Sequence, residues 1–346
     1  MDGDRLVPRD SATYREFTRL YHLAQGLRPT AVDRWNRDLY ATDTGRWGGF
    51  DPKTGSIRLS EERALQWLTG ETTDKSPRRQ AQALASVLHE STHAGMETDA
   101  PAEPNAVRSS HSLGLMEGFA EVRTFEDFDA FASRAGYPGL SLGDPQYPGA
   151  YAAVDNLLDQ AAGPRVTRDM LIDQGSRGPG TMHFDQVADA VVRNRLAEVV
   201  PDRTEDRTAV RAALIQTMKH DQWPTMHKRP AVAGNLAAED IRRSLNAKVD
   251  EIRHHYQANP AQPFPAESPN AEAARAALDG LPPPAAETRV AGPMADRPPN
   301  SQMRFLSGQA PAAQATRHAP SLGDGARGRT GGQVATPSRA TGPARD

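Results

Sequence analysis

The sequence predicts a mainly α-helical protein with a small β-sheet, an α+β fold. Apolar residues recur at i, i+3, i+4 spacing through most of the first 256 residues. One short run, Ile57-Arg58-Leu59, alternates apolar and polar behind a cluster of turn formers, as a hairpin strand does. After Tyr256 both patterns stop: residues 260–346 hold 14 of the 28 prolines and no Trp or Tyr.

The elements follow in chain order. Residues 11–40 read as helical: Tyr14, Phe17, Leu20, Tyr21 and Ala24 form a stripe, Gly26 and Pro29 interrupt it, and Val32, Trp35 and Leu39 resume it. The stretch from Trp47 to Ser60, with Asp51-Pro52-Lys53-Thr54-Gly55 at its middle, reads as a β-hairpin, and a helix starts at about Ser60 and runs through Trp67. Ser76-Pro77 is a strong helix start that leads to about Met96. A polar loop over Asp99–Ser110 precedes a helix from Leu115 to about Ala135, and further helices are expected near 150–161, 183–199, 206–220 and 237–256. This gives an N-terminal helical segment (1–45), a core carrying the chemistry (46–160), a helical C-terminal subdomain (161–257) and a Pro/Ala/Gly-rich tail (258–346). The tail is too poor in apolar residues to offset its chain entropy and is expected to be disordered. Its short apolar cluster Met303-Arg304-Phe305-Leu306 is a candidate docking motif, although a residual apolar residue or two in a tail is the simpler reading.

Bulk composition narrows the function. A net charge of -3 gives no basic surface for nucleic acid or anionic lipid. No run of about 18 apolar residues exists, so no membrane span is expected. There is no cysteine, which excludes disulfides and thiolate metal sites, so any metal must be held by His, Asp or Glu. The N-terminus lacks the apolar core of a signal peptide. A cytoplasmic protein is the default expectation, and export without an N-terminal signature stays open.

The chemistry-bearing motif is His89-Glu90-Ser91-Thr92-His93. On a helix, this HExxH pattern sets two imidazoles one turn apart on one face with a carboxylate about 100° from the first. Two such nitrogens can hold Zn²⁺ while the carboxylate serves as general base. The ordinary alternative is a pair of surface histidines on an unrelated helix, but the motif lies in a well-signalled helix and an acidic motif follows it. A third ligand is needed. Asp99, six residues after His93, would suit an HExxHxxGxxD pattern, but the glycine that pattern needs three residues after His93 is Met96 here. Glu117, in Glu117-Gly118-Phe119-Ala120-Glu121, is preferred. Glu117 and Glu121 share a helix face, so one can reach the metal while the other accepts the outer N–H of a ligand imidazole.

HExxH followed by Glu-Gly-Phe-Ala-Glu resembles the gluzincin peptidases over roughly residues 46–160. The resemblance implies a zincin-like metallopeptidase domain with His89, His93 and Glu117 as zinc ligands, Glu90 as general base and Glu121 behind a ligand. It also implies that strand Ile57-Arg58-Leu59 is the edge strand above the site and pairs with extended substrate. No GxMEN-type exopeptidase motif lies upstream, so an endopeptidase acting on protein or peptide substrates is expected. Members of the family often stabilise the oxyanion with Tyr or His. Tyr151 is the preferred candidate, with Tyr147, His111 and His183 as others, and ordinary packing is the plain reading of each. Two other functions stay in view: a zincin-like binding or scaffold module without turnover, and a secreted effector or toxin carrying a peptidase domain. In the first the tail would recruit partners, and in the second it would serve export.

Overall fold

Ser11 begins the first helix as a capping residue should, its hydroxyl accepting the Tyr14 amide at 3.1 Å. The computed structural model describes residues 4–69 and 76–270, and in it this helix, α1 (Ala12–Leu27), buries the expected stripe of Phe17, Leu20, Tyr21 and Ala24. The helix does not resume after Pro29. Residues 28–38 are irregular, and Leu39–Thr42 is a strand, β2. The reason lies in contacts back onto α1. Asp33 accepts from the Tyr21 hydroxyl (2.5 Å) and the Trp35 amide (3.2 Å). Trp35 folds back onto Tyr21 with ring centroids 4.6 Å apart, and Arg37 turns the chain at φ 72°. The helix-like spacing of Val32, Trp35 and Leu39 thus reports a packed turn.

The sheet is mixed, with order β1-β2-β4-β3. Strand β1 is Arg5–Leu6, β3 is Gly48–Phe50 and β4 is Ile57–Ser60. β3 and β4 form the expected antiparallel hairpin, while β2 adds parallel to the other side of β4. Ile57 and Leu59 are fully buried beneath the sheet. Arg58 points to the opposite face, where it donates to Asp4 at 2.7 Å and covers the Tyr40 ring at 5.5 Å.

Ser60 caps the next turn by accepting the Arg63 amide at 3.1 Å. A π-helical turn, Glu61–Leu65, then runs into the short α2 (Gln66–Leu68). Helix α3 (Pro77–Gly95) starts with proline in its first turn, as the sequence indicates, although the Ser76 hydroxyl makes no capping bond. Helix α4 (His111–Ala135) ends at Gly136 in the left-handed conformation, φ 91°. Then come α5 (Pro148–Ala161), α6 (Arg168–Arg177), α7 (His183–Val191, prolonged by a π-turn over Val192–Leu196), α8 (Thr204–Met218) and α9 (Ala231–Ala258). Sequence reasoning missed α6 because only Leu171 and Ile172 of its large apolar side chains are buried, too few to show a period.

Two apolar clusters organise these elements. One gathers the sheet, α1, α2, α3 and the end of α4, through Phe128 and Phe131. The other gathers the start of α4, through Leu115, Phe119 and Val122, with α5 to α9. Helix α4 therefore belongs to both. Its close approach to α5 depends on Gly118, where a Cβ would lie 2.2 Å from Val154 Cγ2. The fully buried Arg123 donates to Thr92 Oγ1 of α3 at 3.1 Å and to the Ala24 carbonyl of α1 at 2.8 Å, tying the three helices together. β2 precedes residue 46 yet pairs with β4, and α5 packs on α9, so contacts cross both of the internal boundaries drawn from sequence. No helix among the described residues is long and apolar enough to cross a membrane.

The expected start of the disordered tail at residue 258 is too early. Residues 259–270 return onto the helices: Phe264 is buried in the second cluster, its amide bonded to the Tyr256 hydroxyl at 3.1 Å. Asn270 Nδ2 donates to the Ala106 carbonyl at 2.7 Å. One buried phenylalanine in a proline-rich stretch gives no periodic signal. The rest of the tail, including Met303–Leu306, lies outside the described residues. Replacing Phe264 by Ala should lower stability by about 3 kcal/mol, measured as a shifted urea midpoint at unchanged slope. A midpoint equal to that of the parent chain would show that this segment adds nothing.

Candidate metal centre

Helix α3 has almost no exposed face from Ala83 onward: His89, Glu90, Ser91, Thr92 and His93 are all buried. The two histidines therefore do not look outward from a surface helix. They face α4, which runs across α3 and carries Glu117 and Glu121 one turn apart. His89 Nε2 and His93 Nε2 are 3.1 Å apart, and Glu117 Oε2 lies 3.3 Å from the first and 3.2 Å from the second. A tetrahedral ion with ~2.0 Å bonds needs donor atoms ~3.3 Å apart, so these three atoms have the spacing of three corners. Two imidazole nitrogens facing each other across such a gap also need a cation or a proton between them. The group His89, His93, Glu117 can thus hold a metal ion. Asp99 is not part of it: its carboxylate accepts from Arg108 at 3.1 Å and Thr181 at 3.2 Å.

The electrostatics suit a cation. Burial works against charge on His89, yet Glu117 and Glu121 overcome it and raise its pKa well above the ordinary value. Burial likewise opposes charge on Glu117, but His93 and His89 hold its carboxyl far below the usual range. Glu121 is 2% exposed and reaches two partners. Its Oε2 lies 2.9 Å from His89 Nδ1, in a bent contact, and its Oε1 accepts the Gln146 amide at 2.5 Å. One carboxylate thus fixes both a ligand ring and the backbone beside Tyr147.

Glu90 stands outside this donor group and lines the same cleft, of about 300 Å³. Burial raises its pKa, which His89 and His93 offset in part. Its carboxylate rests against β3, where a Cβ at Gly48 would sit 2.9 Å from Oε1. The opposite wall includes Tyr147, whose ring is 5.3 Å from that of His89. Burial, reinforced by Glu117 and Glu90, raises the Tyr147 pKa, so its hydroxyl keeps its proton. His227 follows behind, 6.4 Å from Tyr147 between ring centroids, and burial lowers its pKa.

Several expected positions change. Tyr151 does not line the cleft; it packs on Phe125 with centroids 4.9 Å apart, since one turn of α5 carries it away from α3. Tyr147, just before that helix, takes the position expected of it. Ile57, Arg58 and Leu59 are not an edge strand, because β2 covers the side of β4 that a hairpin alone would leave open. The edge is β3, and Gly48, Gly49 and Phe50 line the cleft. His183 is a core residue, donating to the Gly175 carbonyl at 2.9 Å, with burial lowering its pKa to about 4. His111 opens α4 beside Ser109 (3.0 Å) and does not line the cleft. Sequence reading missed Arg34, Arg46, Met96 and Gly48 as lining residues. Of these only Gly48, in the paired Gly48-Gly49, carried a usable signal, a close backbone approach.

The chain matches no protein-family model, no curated protein and no solved structure.

Because His89 is protonated in the metal-free chain and must lose that proton to bind a cation, metal uptake at pH 7 should release protons. Affinity should rise with pH until the raised His89 pKa is passed. Zinc titration by calorimetry in two buffers of different ionisation enthalpy measures this. Glu117→Ala should weaken affinity by more than the roughly 10–100-fold of an outer-shell loss, with Asp99→Ala unchanged. Equal heats in both buffers would contradict the charge assignment.

Proposed function

We propose that this chain is a zinc-dependent peptidase of the gluzincin kind, cutting within peptide chains. The observation that carries this reading is the convergence of His89, His93 and Glu117 in one cleft with Glu90 beside them. Zinc is the ion best suited to a compact His₂Glu set with tetrahedral donor spacing. When bound, it supplies Lewis acidity, which lowers the pKa of a water towards ~7 and polarises a carbonyl.

The chain's own groups do the rest. Glu90 takes the proton of the attacking water and delivers it to the leaving amine. Its burial-raised pKa brings it nearer the working pH than an exposed carboxylate, and the wall at Gly48 keeps it in place. Tyr147 donates its hydroxyl hydrogen to the oxygen that becomes negative, a role for which a high pKa is an advantage. Glu121 holds the His89 ring and, through the Gln146 amide, the segment that presents Tyr147. The outer edge of β3, apart from the Phe50 amide that faces Glu90, can take an extended peptide as an added strand, and Gly48 and Gly49 have no side chain to hold it off.

Zinc-loaded chain incubated with casein and a peptide library tests the reading. Glu90→Gln should cut the rate by roughly 10²–10⁴-fold while zinc content stays near one per chain. An active Glu90→Gln would exclude this mechanism. Tyr147→Phe should lower kcat by roughly 10²–10³-fold and Tyr151→Phe should leave it unchanged; the opposite ranking would return the oxyanion role to Tyr151.

A further inference from the structure

Arg34 enters the cleft from the turn between α1 and β2. Its amide donates to the Ala94 carbonyl at 2.8 Å, which pins its backbone to the end of α3. Its guanidinium lies 5.2 Å from the centre of the Phe50 ring and donates to two carbonyls, Pro52 (2.7 Å) and Met96 (3.4 Å). Both acceptors are neutral. Several other half-buried arginines of this chain hold carboxylates: Arg28 pairs with Asp127 and Asp169, Arg168 with Asp155, and Arg211 with Asp185, while Arg195 bonds the Asn246 side chain instead. Arg34 has no ion pair among the described residues, and neither does Arg46, which lines the same cleft. Glu97 is exposed at the rim and pairs with neither. A half-buried cation without a counter-ion is unfavourable unless an anion completes it, and burial already lowers the Arg34 pKa. Phe50 links this group to the chemistry: its ring lies under Arg34, and its amide faces Glu90.

We propose that Arg34, helped by Arg46 on the same cleft, is the cleft's carboxylate receptor, selecting peptides that carry a carboxylate within a residue or two of the cleaved bond. The planar guanidinium, with donors left over from its two carbonyl bonds, suits a two-oxygen acceptor. An Asp or Glu side chain and a free C-terminus offer the same chemistry. The proposal names the substrate class for the peptidase reading above and rests on that reading for the cleavage, though not for the binding.

The test measures binding separately from turnover. Full-length, zinc-loaded Glu90→Gln chain is titrated, by fluorescence anisotropy, with labelled alanine-based hexapeptides that carry Glu, Gln or Lys at each position in turn. Each peptide is made as free acid and as amide. Glu should bind roughly 10–100-fold tighter than Gln at one position if a side chain is read, whereas free acids should outbind amides by that factor if the terminus is read. Adding Arg34→Gln should bring the ratio close to one, Arg34→Lys should retain part of it, and Arg46→Gln, at an exposed position, should reduce it. Equal or undetectable binding across the set, or a preference that survives Arg34→Gln, would overturn the proposal. Acid-selective binding without any cleavage by the parent chain would instead remove the peptidase reading and leave the receptor standing.

Discussion

His89, His93 and Glu121 are buried together, with Glu117 against them at the floor of the cleft, and the rest of the molecule is arranged around that fact. A single buried charge costs several kcal/mol after relaxation, so such a cluster persists only when its charges offset one another. α3 brings two imidazoles one turn apart and α4 two carboxylates one turn apart, and the match between the two turns sets where the helices cross. A divalent cation with two neutral imidazoles would balance the two carboxylates of this cluster. Other contacts hold this crossing. Arg123 bonds Thr92 from behind, Gly118 lets α5 lie against α4, and Glu121 extends the cluster to the Gln146 amide.

What could be read from the sequence follows from how local each signal is. The helices bearing the site were legible because Ser76-Pro77 and the apolar period of α3 and α4 are local, and the spacing of His89, His93, Glu117 and Glu121 is a statement about helical turns. The hairpin was legible from its turn residues. What escaped was non-local. β2 looked like a continuing helix because Trp35 packs back onto Tyr21, a contact no period reveals. Once β2 is missed, Ile57–Leu59 looks like an edge, and the true edge at Gly48–Phe50 goes unseen. Tyr147 and Tyr151 are one turn apart, so only coordinates could tell which faces His89. Phe264 reaches the core through a tertiary contact that composition cannot anticipate.

The two walls of the cleft differ in kind. On one side are the edge of a small sheet and the turn carrying Arg34, held by backbone bonds to the end of α3. On the other are Tyr147 and the turn near His227, held by α5 and by the Glu121 carboxylate. Rigid secondary structure thus presents the backbone edge, whereas a segment between helices presents the hydroxyl. The division suits a site in which the substrate's main chain is gripped on one side while its reacting carbonyl is met from the other.

Helix α4 spans both apolar clusters over its 25 residues. Hinges normally fall in loops or at the ends of elements, and here an unbroken rod crosses beneath the cleft. The distance between the walls is accordingly set as a spacer sets a gauge. A substrate too wide for the gap cannot be admitted by swinging the halves apart, so adaptation falls to the segments around Arg46 and Tyr147. On the peptidase reading proposed above, peptides would be sorted by cross-section before they are sorted by charge.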